Sequence, residues 1–394
     1  MQRSAAVIAA VWFAGLGAAA QFGKMSVVYD HLAPAYPGLG PAALGLVVSV
    51  VGMVGLVFGT TAGLLVARAG YRRTLLTAVL GGAALSVLQA GLPPYPVMIA
   101  TRVLEGASHL AIVVAGPTLI AALASDRHRP LAMTLWSSFF GVTYAILALA
   151  APPLIAAGGA RAVLLAHAGY MLAAGVLLRA LLPPDPPAAA PPPPGLPPAP
   201  GLLARHAAIY ASPRMAAPAL GFFCYTFLYV ALLTLLPPEI PPPQRAAAAA
   251  AMPLVSIAVS LTLGVAVQRR IGPVRTVQAG YLAAIPGLAA LAVLWGEGGG
   301  MLAAALWISG ALGIVQGASF SAIPDLNPDP ASRAGAAGAV AQLGNLGTTT
   351  GTPVLAAVIA AAGGSGLAAA GIAAAALGVA LHTLMARRRQ AAVT

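Results

Sequence analysis

The chain has 394 residues, of which 60% are hydrophobic and only 7% charged, with a net charge of +12 and a mean hydropathy of +0.90. Soluble domains carry about a quarter charged residues, so this composition excludes a soluble protein and defines an integral membrane protein. Its apolar runs mostly exceed the roughly 20 residues that a helix needs to cross a bilayer, and the alternating period of a transmembrane barrel is absent.

Hydropathy predicts twelve spans. The first six lie near 5 to 29, 41 to 66, 74 to 92, 96 to 124, 130 to 157 and 162 to 182. The second six lie near 215 to 236, 246 to 267, 276 to 295, 301 to 324, 334 to 361 and 367 to 386. The opening stretch, "MQRSAAVIAAVWFAGLGAAAQ", has the basic start, apolar middle and Ala-rich end of a cleavable signal peptide. Against that reading, apolar residues resume after Gln21, and removing the stretch leaves eleven spans. The same span carries Lys24, which either lines a cavity or snorkels to the outer surface, with Gln21 as a hydrogen-bonding neighbour.

The fourth span contains "VLEGASHLAI", residues 103 to 112, preceded by Arg102. Seven residues is within about 20° of two full helical turns, so Arg102 and His109 share a face, with Glu105 about 60° to one side. Ionisable groups at membrane depth are costly against lipid and face a cavity or a partner. Two readings stand: a cavity wall, in which Glu105 and His109 carry a proton and Arg102 holds an anionic group or a gate, or a structural cluster in which Glu105 pairs with Arg102 or His109.

A proline-rich tract, "PPDPPAAAPPPPGLPPAPG" over 183 to 201, follows the sixth span and reads as an extended, semi-rigid linker. In the seventh span Tyr225 and Tyr229 lie one turn apart, either against substrate or in aromatic packing. The single cysteine, Cys224, excludes an internal disulfide and a thiolate metal cluster. The tenth span holds Gln316, and Asp325 and Asp329 follow it in a loop as solvated or capping groups. The eleventh holds Gln342 and Asn345, which contact either substrate or neighbouring helices.

The chain is duplicated. "VLEGASHLAI" matches "IVQGASFSAI" at 314 to 323, with Gly106, Ala107 and Ser108 against Gly317, Ala318 and Ser319. In this match Gln316 replaces Glu105, Phe320 replaces His109 and Gly313 replaces Arg102, so charge is placed in one half only. The loops after the second and eighth spans also agree, with Arg68, Gly70 and Arg73 spaced as Arg270, Gly272 and Arg275 are. The expected organisation is therefore all-α: an N-terminal six-helix bundle over 1–182, a cytoplasmic linker over 183–214 and a C-terminal six-helix bundle over 215–394. With both termini inside, sixteen of the twenty Lys and Arg residues fall on the cytoplasmic side and two outside, as the positive-inside rule requires. Their spread over loops accounts for the net charge without a nucleic-acid partner.

At "GLLVARAGYRR", residues 63 to 73, the sequence resembles the major facilitator superfamily, whose loop between the second and third helices has Gly63, Arg68, Gly70, Arg72 and Arg73 at its motif positions. The "RVLEG" of the fourth span is similar to that family's membrane-embedded Arg followed four residues on by Gly. Ala67 stands where the family has an acid, so the usual salt bridge of the cytoplasmic gate has no acidic partner there. "AAPPLIAAGG", residues 150 to 159, lacks the Gly-Pro pair of the family's antiporters. The resemblance implies a monomeric secondary transporter in an inner membrane, with a gate at the motif loop and a substrate site between two rocking bundles near mid-membrane.

No nucleotide-binding loop, metal-ligand spacing or nucleophile elbow occurs, so no cofactor or enzymatic activity is expected and ATP does not drive the protein directly. The candidate substrate or coupling residues are Lys24, Arg102, Glu105, His109, Tyr225, Tyr229, Gln316 and Asn345. Titratable groups in the spans favour protons over sodium as the coupling ion. Efflux of a small organic solute follows from the resemblance alone. Uptake or exchange of a small organic anion, uniport, or a receptor or assembly factor on the same fold stays open.

Overall fold

A computed structural model describes residues 2–39, 41–185 and 201–391; the proline-rich tract over 186–200 lies outside the described residues. Among the described residues there is no strand. The helices are α1 (Gln2–Val27), α2 (Tyr29–Ala35), α3 (Pro41–Ala69), α4 (Tyr71–Ala90), α5 (Tyr95–Leu123), α6 (Arg129–Ser137), α7 (Phe139–Leu181) and α8 (Leu202–Ala211). There follow α9 (Ala216–Glu239), α10 (Pro242–Val259), a π-helical turn over Ser260–Gly264, α11 (Val265–Ile271), α12 (Pro273–Val293), α13 (Gly298–Leu326) and α14 (Pro330–Ala391). Helices are the only open-ended way to satisfy backbone hydrogen bonds in hydrocarbon. Prolines in the first turn, where no intrahelical N–H partner is lost, start α5, α10 and α12.

Ten helical stretches among the described residues are long and apolar enough to cross a membrane, where hydropathy predicted twelve spans. The difference lies in α7 and α14, each of which covers two predicted spans. Each is kinked between its two spans by residues with non-helical backbones, Gly158 and Gly159 in α7 and Gly363 in α14. Gly159 at φ 62° and Gly363 at φ 56° take the left-handed conformation that glycine adopts without a Cβ clash. The predicted linker also contains a helix, α8, which sequence periodicity had not disclosed.

The chain divides into two compact units, Met1–Ala124 with Phe139–Ala208, and Ser125–Ser138 with Ile209–Thr394. In the first, α1 packs on α7 and α5, α3 on α5, and α4 on both α5 and α7. Two hydroxyls of α7 tie it to α1: Thr143 donates to the Leu16 carbonyl at 3.0 Å and Tyr170 to the Phe13 carbonyl at 2.8 Å. In the second unit α14 packs along α9, and α13 packs on α10 and α12.

Close helix approach is carried by small residues, as expected where lipid supplies no hydrophobic drive between helices. A Cβ added at Gly106 of α5 would lie 2.7 Å from the Val51 carbonyl oxygen of α3. At Gly317, its counterpart in the repeat, a Cβ would meet Ser260 Oγ at 2.7 Å. The two motif loops also share a backbone conformation, since Gly70 (φ 88°, ψ 155°) caps α4 and Gly272 (φ 79°, ψ 163°) caps α12. Asp329 accepts from the Ser332 amide at 2.8 Å at the start of α14, the capping role open to it from sequence. That hydrogen bond holds its carboxyl below the ordinary range, so the cap weakens only as pH falls through the lowered value.

On α14 a Cβ at Gly351 would sit 2.1 Å from the Phe227 carbonyl oxygen, a backbone atom of α9 that cannot swing away. We expect Gly351→Ala to cost about 1–3 kcal/mol, read as a lowered thermal midpoint in detergent. Gly81→Ala, whose Cβ meets nothing within 4 Å, should be neutral or stabilising by up to about 1 kcal/mol. Equal midpoints for the two variants would contradict the close α9–α14 contact.

Candidate functional site

Helices α1, α4 and α5 converge on one carboxylate, and α7 joins the cluster through Lys24 and Ser86. Glu105 Oε1 accepts from Lys24 Nζ at 2.5 Å, and Glu105 Oε2 accepts from Gln89 Nε2 at 2.8 Å and from Arg102 Nη1. Arg102 turns its remaining donors to α3, with Nε to the Val47 carbonyl at 2.7 Å and Nη2 to the Val48 carbonyl at 3.4 Å. Lys24 Nζ also donates to Ser86 Oγ at 2.6 Å and faces His167 Nδ1 at 3.3 Å. Lys24, Ser86, Gln89, Arg102 and Glu105 all have no solvent exposure.

The tautomer of His167 follows from its partners. Its Nε2 lies 3.0 Å from the Gly17 carbonyl, which can only accept, so Nε2 carries the proton. Nδ1 is then a lone pair, aimed at Lys24 and at Ser86 Oγ, 2.7 Å away. The cluster thus joins two cations and one anion in a low-dielectric interior, with a basic nitrogen against one of the cations. Such a group is held together by Coulomb attraction and charge-assisted hydrogen bonds, and its net charge remains uncompensated by any other fully buried acid among the described residues.

The candidates of the first unit therefore separate. Lys24, Arg102 and Glu105 meet; Lys24 is buried rather than snorkelling, and Glu105 pairs with Arg102 and Lys24. His109 lies a turn along α5, its Nδ1 2.9 Å from the Ala18 carbonyl and its ring edge-on to Phe22 and Phe140, at centroid distances of 5.0 and 6.0 Å. Gln21 braces this neighbourhood by donating to Ser108 at 2.9 Å, and Ser108 in turn donates to the Ala78 carbonyl at 2.7 Å.

In the second unit Tyr225 and Tyr229 stack with ring centroids 5.2 Å apart, and Phe222 continues the stack from Tyr225 at 5.3 Å. Gln316 donates to the Ser137 carbonyl at 2.6 Å, and Asn345 donates back along its own helix to the Ala341 carbonyl at 2.7 Å. Gln342 accepts from the Tyr210 hydroxyl at 2.7 Å. These groups do not form one polar cluster. Gly313 packs against the Ser256 carbonyl, where a Cβ would come within 2.2 Å. The repeat position that carries a charge in one unit thus carries direct backbone contact in the other.

At the motif loop, Gly63 is buried and Arg68 exposed. Gly70 gives way to α4, whose first amides point at an acid: the Arg72 and Arg73 amides donate to the two oxygens of Asp185 at 2.8 and 2.9 Å. A carboxylate at a helix N-terminus is stabilised by unpaired amides and by the helix dipole. A Cβ at Gly70 would lie 2.3 Å from Asp185 Cγ, so glycine makes the approach possible. The Arg72 guanidinium donates to the Leu182 carbonyl and, at 3.0 Å, to the Arg179 carbonyl. Asp185 thus fixes the end of α7 to the motif loop.

Sequence reading missed Ser86, Gln89, His167 and Asp185. His167 and Gln89 were legible only as isolated polar residues in apolar spans, and Asp185 was hidden in a proline tract. One available signal lay in composition: Lys24 is the only lysine in the chain.

Two compact helical units, with ten stretches among the described residues long and apolar enough to cross a membrane, define a polytopic membrane protein. The chain belongs to the Major Facilitator Superfamily, whose family profile matches residues 7–352. Among solved structures it is similar to the transporter FucP in the outward conformation, at 16% identity and a TM-score of 0.73, covering 97% of this chain and 98% of that one. It is also similar to the human organic anion transporter MFSD10 (17% identity, TM-score 0.73, 97% and 99% covered). The proton:xylose symporter XylE aligns at 13% identity with a TM-score of 0.74, covering 98% and 96%. At these identities the likeness concerns the fold. No curated protein sequence matches the chain significantly.

The charge arrangement predicts an asymmetry. Glu105→Gln leaves two buried cations without an anion and should cost about 3–5 kcal/mol, whereas Lys24→Met leaves the neutral Arg102–Glu105 pair and should cost clearly less. Thermal unfolding of the two variants in detergent checks this; an equal or reversed order would contradict the excess positive charge.

Proposed function

We propose that the protein is a proton-coupled secondary transporter that moves a small organic solute by alternating access. The observation that carries this reading is the buried imbalance of Lys24 and Arg102 against Glu105. An unpaired charge in a low-dielectric interior is expensive, so the cluster has two relaxed forms, one in which it sheds a proton and one in which an anion joins it. Exchange between them links a proton to a solute. FucP and XylE, by their descriptions proton symporters, have the same fold.

Export is the direction implied by the family resemblance. Uptake or exchange of a small organic anion is the second reading, favoured by the sign of the imbalance and by likeness to an organic anion transporter. The distribution of arginines supports an inner-membrane protein with both termini cytoplasmic. The loop of Gly63, Arg68, Gly70, Arg72 and Arg73 then lies at the cytoplasmic gate, with Asp185 supplying an acid that Ala67 lacks. Tyr225, Tyr229, Gln316 and Asn345 remain candidates for solute contact in the second unit.

Proteoliposomes holding a pH-sensitive dye test the reading against a panel of small carboxylates, zwitterions and amphipathic cations. A transported solute should move protons with it, and Lys24→Met should uncouple the two. A labelled solute that crosses at the same rate with and without a pH gradient would contradict proton coupling and leave uniport.

A further inference from the structure

The twenty basic side chains of the molecule comprise nineteen arginines and one lysine, and the lysine is the one buried against Glu105. The two residue types differ in one property that matters here: arginine cannot be deprotonated inside a protein, and lysine can. We infer that the exchangeable proton resides on Lys24, with His167 Nδ1 as its first acceptor, while Glu105 stays ionised as a fixed counter-ion. This inference rests on the proton-coupled reading and names its carrier.

The two charged neighbours of Lys24, Glu105 and Arg102, are excluded by their own bonds. Glu105 receives three donors on two oxygens, from Lys24, Gln89 and Arg102. A proton added to it would turn an acceptor into a donor facing donors. Arg102 is permanently charged and committed to Glu105 and to the Val47 and Val48 carbonyls. His109 donates to the Ala18 carbonyl and has aromatic rings of Phe22 and Phe140 about it. Lys24 is faced by Glu105 from α5, by Ser86 from α4 and by His167 from α7. Arg102 from α5, which shares Glu105 with Lys24, and Tyr144 from α7, whose ring lies beside Gly23 of α1, complete the charged and titratable surroundings.

The transfer balances within these residues. One Nζ–H bond of Lys24 breaks and its electron pair stays on Nζ; the proton binds the lone pair of His167 Nδ1, making an imidazolium that still donates Nε2–H to the Gly17 carbonyl. The Ser86 hydroxyl, which donates to the Gly82 carbonyl at 2.9 Å, can rotate to donate to the new amine. When the imidazolium passes its proton to water, the cluster is left with one cation and one anion. Solute-linked changes in water access to His167 would thereby load and unload a single proton without breaking the Arg102–Glu105 pair.

Because the chain has one lysine, side-chain ¹⁵N-lysine labelling of the full-length protein gives a single Nζ resonance. Its shift is followed with pH in lipid, alongside proton release counted by potentiometric titration of wild type and Lys24→Arg, a variant that keeps the charge and the Glu105 contact. We expect the resonance to move from the ammonium to the amine position, with about one proton released per chain in wild type and none at this step in Lys24→Arg. His167→Asn should leave the proton count but slow proton release several-fold, which loss of a histidine that only packs against Lys24 would not do. A resonance that stays at the ammonium position while wild type and Lys24→Arg release the same proton would overturn the assignment and leave proton coupling standing. An unmoving resonance with no proton released in either protein would overturn both.

Discussion

The first unit is organised by one carboxylate. Glu105 draws a cation from α1, a cation from its own helix α5 and an amide from α4 to within hydrogen-bonding distance, and Arg102 carries the connection on to the α3 backbone. In water such contacts would be worth little. Away from water each lost partner exposes an unbalanced charge, so the helices that supply the partners are held to one arrangement. The same arrangement leaves two cations against one anion in the interior of the unit.

The second unit solves the same packing problem without charge. Where Arg102 reaches the α3 backbone through its guanidinium, Gly313 brings α13 directly onto the Ser256 carbonyl. Along α14, Gly344, Gly347 and Gly351 admit the Phe222, Thr226 and Phe227 region of α9. Duplication thus left a common scaffold, visible in the matching conformations of Gly70 and Gly272, on which one copy carries titratable groups and the other a stack of aromatic rings.

Much of this scaffold was readable from the chain, because hydropathy, glycine and arginine act locally. The membrane spans follow from hydropathy, the repeat and the shared face of Arg102, Glu105 and His109 from spacing, and the family from the resemblance of the 63–73 loop and the fourth span. The two counts differ at Gly158–Gly159 and Gly363, where non-helical residues inside α7 and α14 separate two predicted spans. Of the partners of Glu105, Arg102 was readable from its spacing on the same helix, but Lys24 and Gln89 come from two other helices and only packing brings them, and His167 behind Lys24, together. Asp185 was obscured for a different reason: proline composition describes the tract as a whole, whereas its single acid is bound at the start of α4.

The charge state of Glu105 is the point on which the rest turns. Difference infrared spectroscopy of the protein in lipid, comparing wild type with Glu105→Asp across the pH range in which both remain folded, reads it directly. A carboxylate held by Lys24, Gln89 and Arg102 requires that only carboxylate stretching bands respond to the substitution. A protonated-carboxyl carbonyl band that shifts in Glu105→Asp would show that Glu105 itself takes up the proton, and would contradict its role as the fixed anion of the cluster.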